Sequence, residues 1–366
     1  MATVCNQNAC TGCMACISIC PKNAISITDT IDAYNAEIDP QKCIHCGLCE
    51  KKCPNNTPML LHAPIYWKQG WAEDEIRRNS SSGGAASAII KVFIKNGGYV
   101  ASCLFENGEF GFTVTNDLEK AKRFAGSKYV KSSPGSVYKE IQELLKQGER
   151  VLFIGLPCQS AAVQNVCGEH ENLYTVDLIC HGTPSPKLLK QFMSERGIEW
   201  NCISDIQFRD NDFFGISKDG IRLVPRRVMD SYLLAFLHSV DYTENCYSCR
   251  YAALDRVSDI TLGDAWGQLS DTVSGGVSLV LCQTQKGVSL VEGAGLHLEE
   301  VDLDQAVTAN HQLEHPSIKH RGREKFLREI KAGRSVRRAT MVACPKESVK
   351  QSIKTGLIKT RLLKDF

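Results

Sequence analysis

No apolar run in this 366-residue chain approaches the length needed to cross a bilayer, which argues against a membrane span. The first residues, MATVCNQNACTG, have no charged stretch followed by an apolar one, so they do not read as a secretory signal. Net charge is slight, +2 from 43 Lys and Arg against 41 Asp and Glu, which argues against a general nucleic-acid binder. No strand–GxGxxG–helix fingerprint occurs, so a Rossmann-type nicotinamide site is not supported. At 43% hydrophobic and 23% charged, the composition is that of a globular protein with room for two or three domains. Cysteine is abundant instead: there are 18. A disulfide scaffold does not suit a long chain without an export signal. Clustered, reduced thiols in a cytoplasmic protein point to metal, and cytoplasmic is the expected location.

Eight of these cysteines form an internal repeat. Cys10, Cys13, Cys16 and Cys20 precede Pro21, and Cys43, Cys46, Cys49 and Cys53 precede Pro54. Both halves read C-x2-C-x2-C-x3-C-P. Three closely spaced cysteines can reach three irons of one cluster from a single wrapping loop, while the fourth reaches the other cluster. Zinc sites more often use two C-x2-C pairs than paired quartets ending in proline. The repeat resembles that of a two-cluster [4Fe–4S] bacterial-type ferredoxin. The resemblance implies one cluster on Cys10, Cys13, Cys16 and Cys53 and another on Cys43, Cys46, Cys49 and Cys20. Such a module relays single electrons.

After the repeat the pattern alternates helix and strand. A helical run is predicted from Ala85 to about Lys95 and an amphipathic helix over 134–146, with strands over 99–105, 150–154, 173–179, 259–262 and 277–282. The expected fold class is an α+β ferredoxin-like iron–sulfur domain followed by an α/β domain with a mixed, mainly parallel sheet. The expected domains are 1–58 (two-cluster ferredoxin), 59–66 (linker), 67–318 (catalytic) and 319–366 (basic C-terminal helices). That last segment holds 15 basic and 4 acidic residues, a local charge of +11.

Of the other ten cysteines, Cys246 and Cys249 have ligand spacing. Cys158 follows a strand in GLPCQ, and Cys180 ends one in DLICHG. If those strands are parallel neighbours, both thiols lie at the carboxyl edge of the sheet, where open α/β folds place ligands. The C-x2-C pair could then complete a four-thiolate site. Alternatively, Cys158 and Cys180 are small buried apolar residues.

The runs SSSGGAASA, AGSKYVKSSP, GLPCQ, DLICHG and CYSCRYAALDRVSDITLGDAWG together resemble the family of β-subunits of coenzyme F420-reducing hydrogenases and related dehydrogenases. That family consists of flavoproteins and includes formate dehydrogenase β-subunits and 7-hydroxymethyl chlorophyll a reductase. The resemblance covers most of residues 65–320 and implies a third [4Fe–4S] cluster on Cys158, Cys180, Cys246 and Cys249, next to FAD. A dinucleotide's pyrophosphate suits serines and glycines before a helix, where backbone N–H groups and a positive dipole end are free. Ser81, Ser82, Gly83 and Gly84 fit that description. Gly126, Ser127, Lys128 and Tyr129 offer a turn, a hydroxyl, a cation and a ring. Asp259, Gly263 and Asp264 belong to a strand whose end could approach the cofactor.

The main functional expectation is an oxidoreductase, a ferredoxin-linked flavin-dependent reductase. Electrons would pass from a ferredoxin or flavodoxin-type carrier through three clusters to FAD, which exchanges a hydride with an unidentified small molecule. The alternatives are an electron-transfer β-subunit of a larger hydrogenase or dehydrogenase complex, a coenzyme F420-dependent oxidoreductase, and a flavin-free cluster protein. An exposed apolar docking face would favour membership of a complex. His181, beside Cys180, is the candidate proton donor, with a solvated or supporting histidine as the alternative. His238 reads as a core or helix-edge residue. Arg209, Asp210, Arg222, Arg226 and Arg227 could meet an anionic substrate or could be surface charges. The basic tail could attract an acidic carrier or could be a solvated helix pair.

Overall fold

The computed structural model describes residues 2–210, 213–266, 275–360 and 362. Its first module is built on an antiparallel hairpin, β1 (Ile25–Asp29) and β2 (Tyr34–Ile38). Two short helices, Ala15–Ile19 and Leu48–Lys51, each start behind a cysteine loop. Met14 and Gly47 hold the equivalent position in the two repeats, and both adopt left-handed backbone there, φ 62° and 70°. The internal repeat is thus a repeat of structure. The loop must turn back tightly for its cysteines to face one centre.

The second module contains, in chain order, β3 (Tyr66–Trp71), β4 (Tyr99–Glu106), β5 (Glu109–Thr115), β6 (Val151–Gly155), β7 (Leu173–Leu178), β8 (Ile206–Asp210), β9 (Phe213–Lys218), β10 (Ile221–Arg222), β11 (Ile260–Asp264), β12 (Ser278–Cys282) and β13 (His297–Glu299). Eight of them form one sheet in the order β13-β3-β12-β11-β7-β6-β4-β5. The pairings β4–β6, β6–β7 and β7–β11 are parallel, and the four flanking pairings are antiparallel. The sheet is mixed, with a parallel centre. Val151, Leu152 and Phe153 are fully buried because helices cover both faces of this centre. The helix Ala85–Lys95 packs Ile89, Phe93 and Ile94 on one face. Val137–Lys146 and Pro157–Cys167 cover the other. The antiparallel trio β10-β9-β8 stands apart. Phe208 and Phe214 of that trio meet Tyr129 at ring-centroid distances of 5.9 Å each.

Two of the segments read from the sequence pack against the second module. The segment read as a linker closes on the second module: Met59 and Leu61 pack with Tyr251, Val257, Cys158 and Cys249. The basic C-terminal segment is only partly solvated. Phe326, Ile330, Val336 and Ala339 join the core that holds Leu188 and Phe192, and the buried Arg323 donates to the Val240 carbonyl at 2.9 Å. Pro345 ends one helix and opens the next, Pro345–Lys359, which buries none of its residues. Among the described residues no helix is long and apolar enough to cross a membrane.

Candidate functional site

Parallel strands leave their carboxyl ends on one edge, and each chain exit there supplies part of the site. β6 ends at Gly155, and Cys158 follows in the first turn of the helix Pro157–Cys167. That amino-terminal turn favours a thiolate. β7, the parallel neighbour of β6, ends at Leu178 and leads to Cys180 and His181. Cys246 and Cys249 arrive on and just after the 3-10 turn Glu244–Ser248. Thr243 Oγ1 and Asn245 Nδ2 each stand 3.6 Å from the Cys246 sulfur.

The four thiols feel one another. Burial, then the neighbouring Cys246 and Cys249, pushes the Cys180 thiol up to about 12. Burial raises Cys158 well above the ordinary thiol range, with Cys249, Cys13 and Cys180 adding to the shift. Cys249 is raised by burial and by Cys246. Buried thiolates so close together repel, and cationic iron is what would relieve that repulsion on binding. The residues therefore fit a four-thiolate iron–sulfur cluster. Among the described residues no three His, Cys, Asp or Glu side chains come close enough for a single metal ion. A four-iron cube spreads its thiolates more widely, because each binds a different iron.

The thiols of the ferredoxin module fall into two places. Cys20 lines one small cavity with Cys43, Cys46 and Cys49. The Cys16 thiol is raised by burial, then by neighbouring Cys13 and Cys53. Cys10, the remaining expected ligand, is buried in the core shared by Cys16 and Cys53. Cys5, outside the expected ligand set, also lies in that core, and Asn55 Nδ2 donates to its sulfur at 3.7 Å. Cys13 is buried among Tyr138, Phe153 and Val163 of the second module, and Tyr138 Oη donates to its carbonyl at 2.9 Å. The first cluster loop is thereby pinned beside Cys158.

A cavity of about 270 Å³ opens beyond Cys180 along the carboxyl edge. It adjoins an outer chamber of about 820 Å³, and the two share Ser80, Ser81, Gly126, Ser127, Lys128 and Arg209 in their walls. This scale suits a small-molecule or cofactor site. The amino-terminal turn of the helix Ala85–Lys95 faces the cavity through Gly84, Ala85 and Ala86. Ser127 N–H donates to Ser81 Oγ at 2.8 Å, tying the two serine–glycine loops together. Gly126, at φ 85°, has open space where a Cβ would stand.

Several expected cofactor residues also have structural duties, and of these Lys128, Tyr129 and Gly263 line the cavity as well. A Cβ on Gly83 would stand 2.5 Å from the Gly70 carbonyl oxygen and 2.6 Å from the Ser278 nitrogen, so this glycine lets the loop lie on β3 and β12. Gly83→Ala is expected to cost about 1–3 kcal/mol by overpacking, read as a lower thermal midpoint. Gly263 is closed by Ile179 at 2.4 Å in the same sense. Lys128 gives its ammonium to the Phe124 and Ala125 carbonyls at 2.7 and 2.8 Å. Tyr129 is enclosed by Phe208, Phe214 and Phe236. Asp259 does not line the cavity. It precedes β11, at the amino end of that strand, and accepts from Thr175 N–H and Thr284 Oγ1 at 2.8 and 2.7 Å. Asp264, at the carboxyl end of β11, does line it and pairs with Arg209 at 2.7 Å.

Arg209 therefore meets the cavity with its charge matched. Arg222, Arg226 and Arg227 lie on and after β10, outside the cavity wall. The side chain of Asp210, and Asn211 and Asp212 beside it, lie outside the described residues. His238 caps the helix Ser231–Leu237, as its sequence context suggests. His181 lines the cavity, and burial, then His311, pushes it down to about 4, so its ring is neutral. Its Nδ1 lies 2.6 Å from Gln312 Nε2, which stands 2.6 Å from His311 Nε2. The two imidazole rings and the Gln312 amide form one hydrogen-bonded chain, in which the donor and acceptor roles follow the tautomers. Trp266 stands half exposed at the cavity wall beyond β11, whereas Gln312 had no distinguishing sequence signal and reaches His181 only through the 303–313 segment.

Two family models and two known proteins are similar to parts of this chain. Residues 148–305 match the family model described as the C terminus of the beta subunit of coenzyme F420 hydrogenase/dehydrogenase, and residues 9–57 match the 4Fe-4S dicluster domain. The chain is 24% identical over 265 residues to a subunit of the F(420)H(2) dehydrogenase of Methanosarcina mazei, covering 66% of this chain and 75% of that protein. It also resembles a chain in the xenon-derivatised F420-reducing [NiFe] hydrogenase complex of Methanosarcina barkeri, at 18% identity and a TM-score of 0.48, covering 69% of this chain and 90% of that one. Residues 9–57 thus match a 4Fe-4S dicluster domain that lies ahead of a segment, 148–305, matching the C terminus of coenzyme F420 hydrogenase/dehydrogenase beta subunits.

Proposed function

We propose that this chain is the iron–sulfur electron-transfer subunit of an oxidoreductase complex of the F420 hydrogenase/dehydrogenase type. It moves single electrons between the ferredoxin module and the cavity at the carboxyl edge of the sheet. The observation that carries this reading is the convergence of Cys158, Cys180, Cys246 and Cys249 between Cys13 and the cavity. Three four-thiolate centres in series form a path from the exposed Cys46 loop to the interior.

The cavity and its outer chamber fit a flavin dinucleotide. The turn at 84–86 and the loop at 126–127 would hold its anionic part, and Trp266, His181 and the paired Arg209 and Asp264 would flank its ring. A flavin bound there would supply the exchange between single electrons and a hydride. Gln312 holds the His181 ring in this wall, where it could hold or move a proton. Thr183 and Ser185 bury the chain exit behind Cys180 and keep bulk water from that side. The two-electron partner would be a small molecule, with reduced coenzyme F420 the first to try because the Methanosarcina mazei relative is named for it.

Membership of a complex is supported by an apolar stripe. Val349, Ile353 and Leu357 recur every fourth residue on the helix Pro345–Lys359, and they are 54%, 58% and 38% exposed.

The test is iron, acid-labile sulfide and flavin per chain on protein purified without oxygen. About 12 irons are expected from three four-iron clusters, with one flavin. About 8 irons and no flavin would contradict the third centre and the cavity assignment together.

A further inference from the structure

The segment 130–133 is wedged between the ferredoxin module and the third thiol site. Ser132 Oγ accepts from Gln159 Nε2 at 3.0 Å, one residue beyond Cys158. Ser133 Oγ donates to the sulfur of Met14 at 3.1 Å, one residue beyond Cys13. Between them, Lys131 N–H donates to the Pro184 carbonyl at 2.9 Å. Its side chain crosses to the first cluster loop, and Nζ donates to the Thr11 carbonyl at 2.9 Å. The ammonium stands 5.0 Å from the centre of the Tyr34 ring. Lys131 is only 5% exposed. Its stem presses on Gly12, where a Cβ would come within 3.0 Å of Lys131 Cδ.

Burying a lysine at a seam between two modules is costly unless something there needs the charge. No carboxylate bonds to its ammonium among the described residues; its polar partner is a neutral carbonyl. Its contacts are with the loop between Cys10 and Cys13, at Thr11 and Gly12. The bonds of Ser132 to Gln159 and of Lys131 N–H to Pro184 set the same segment against the chain just beyond Cys158 and Cys180.

We propose that Lys131 is the electrostatic bridge between the first and third clusters, stabilising an added electron on either one. The inference rests on the three-centre reading above. Moving an electron makes and breaks no bond. One centre loses a negative charge and the next gains it, and a fixed cation beside both lowers the energy of each reduced state. The outer cluster, on Cys20, Cys43, Cys46 and Cys49, is not a neighbour of Lys131. Lys131 is a positioning residue for charge and carries no proton or electron itself.

The test is a potentiometric titration followed by electron paramagnetic resonance on the full chain, comparing wild type, Lys131→Met, Lys131→Gln and Lys131→Arg. The third cluster is identified by its loss in Cys246→Ser/Cys249→Ser, and the outer cluster by the altered signal of Cys46→Ser. In Lys131→Met the first and third clusters should become at least tenfold harder to reduce, a shift of about 59 mV to more negative potential for one electron. The outer cluster should stay within about twofold of wild type, and Lys131→Arg should restore the other two. If Lys131→Met fails to assemble, Lys131→Gln removes the charge while keeping a donor for Thr11 and carries the same expectation. Unmoved potentials, an equal shift in all three clusters, or an equal shift in Lys131→Arg would each overturn the proposal. Absence of a third cluster from wild type would instead overturn the reading on which it rests.

Discussion

Changing Cys246 and Cys249 together to serine should remove one four-iron cluster and leave the ferredoxin module intact. Iron per chain should fall from about 12 to about 8. The two cysteines sit on a short 3-10 turn, and Cys246 is held by Thr183, Thr243 and Asn245. Serine keeps the turn and loses the soft ligand. The ferredoxin cysteines share none of these supports. Their cores are formed with Ile25, Tyr34 and Ala36 of the hairpin and with Tyr138 and Val163. Iron and sulfide analysis checks the count. A fall to about 4 irons, or none, would mean that the two modules do not assemble their clusters independently.

The second large effect concerns pH. Asp241 is 2% exposed, and among the described residues neither carboxylate oxygen has a hydrogen-bond partner. Burial pushes its carboxyl up to about 8, although Arg323 acts in the opposite direction. In an unfolded chain the same group titrates near 4. The folded protein therefore holds a proton that the unfolded chain releases across that window. The stability from the neutral acid is complete below about pH 4 and declines as pH rises toward about 8, by roughly 1.36 kcal/mol per unit at most. Asp241→Asn keeps the shape and removes the titration. Its advantage over wild type in thermal midpoint should be small at about pH 5 and larger at about pH 8. An advantage independent of pH would show that Asp241 is ionised in the fold.

What the sequence made legible follows the range of the interactions involved. Cluster ligands within one loop are fixed by local spacing, so the two C-x2-C-x2-C-x3-C runs were readable outright. The helix Ala85–Lys95 and the buried strands β6, β7 and β12 were readable because their apolar patterns are local. The third thiol site was half legible. Its strands pointed to one edge, but only the parallel pairing of β6 with β7 brings Cys158 and Cys180 together. Asp259 shows the opposite case: its strand was recognised, yet the direction that puts its amino end away from the cavity is set by pairing with β7. Gly83 was read for conformational freedom, whereas close packing on Gly70 and Ser278 governs it. Lys131, Met59 and Leu61 carried no signal, because the partners that define their roles lie far along the chain, at Thr11, Tyr251 and Val257. The C-terminal helices looked basic and solvated. The periodicity that buries Phe326, Ile330 and Ala339 is sparse among so many charges.

Electrons should cross from the ferredoxin module to the cavity. The most direct measurement is a stepwise anaerobic titration with dithionite, following cluster and flavin absorbance in wild type and in Cys246→Ser/Cys249→Ser. In wild type, flavin reduction should follow cluster reduction within mixing time. In the variant the ferredoxin clusters should still be reduced while the flavin lags. If the clusters of the wild type are reduced and the bound flavin stays oxidised, or if both proteins behave alike, the third thiol site is not the bridge between module and cavity.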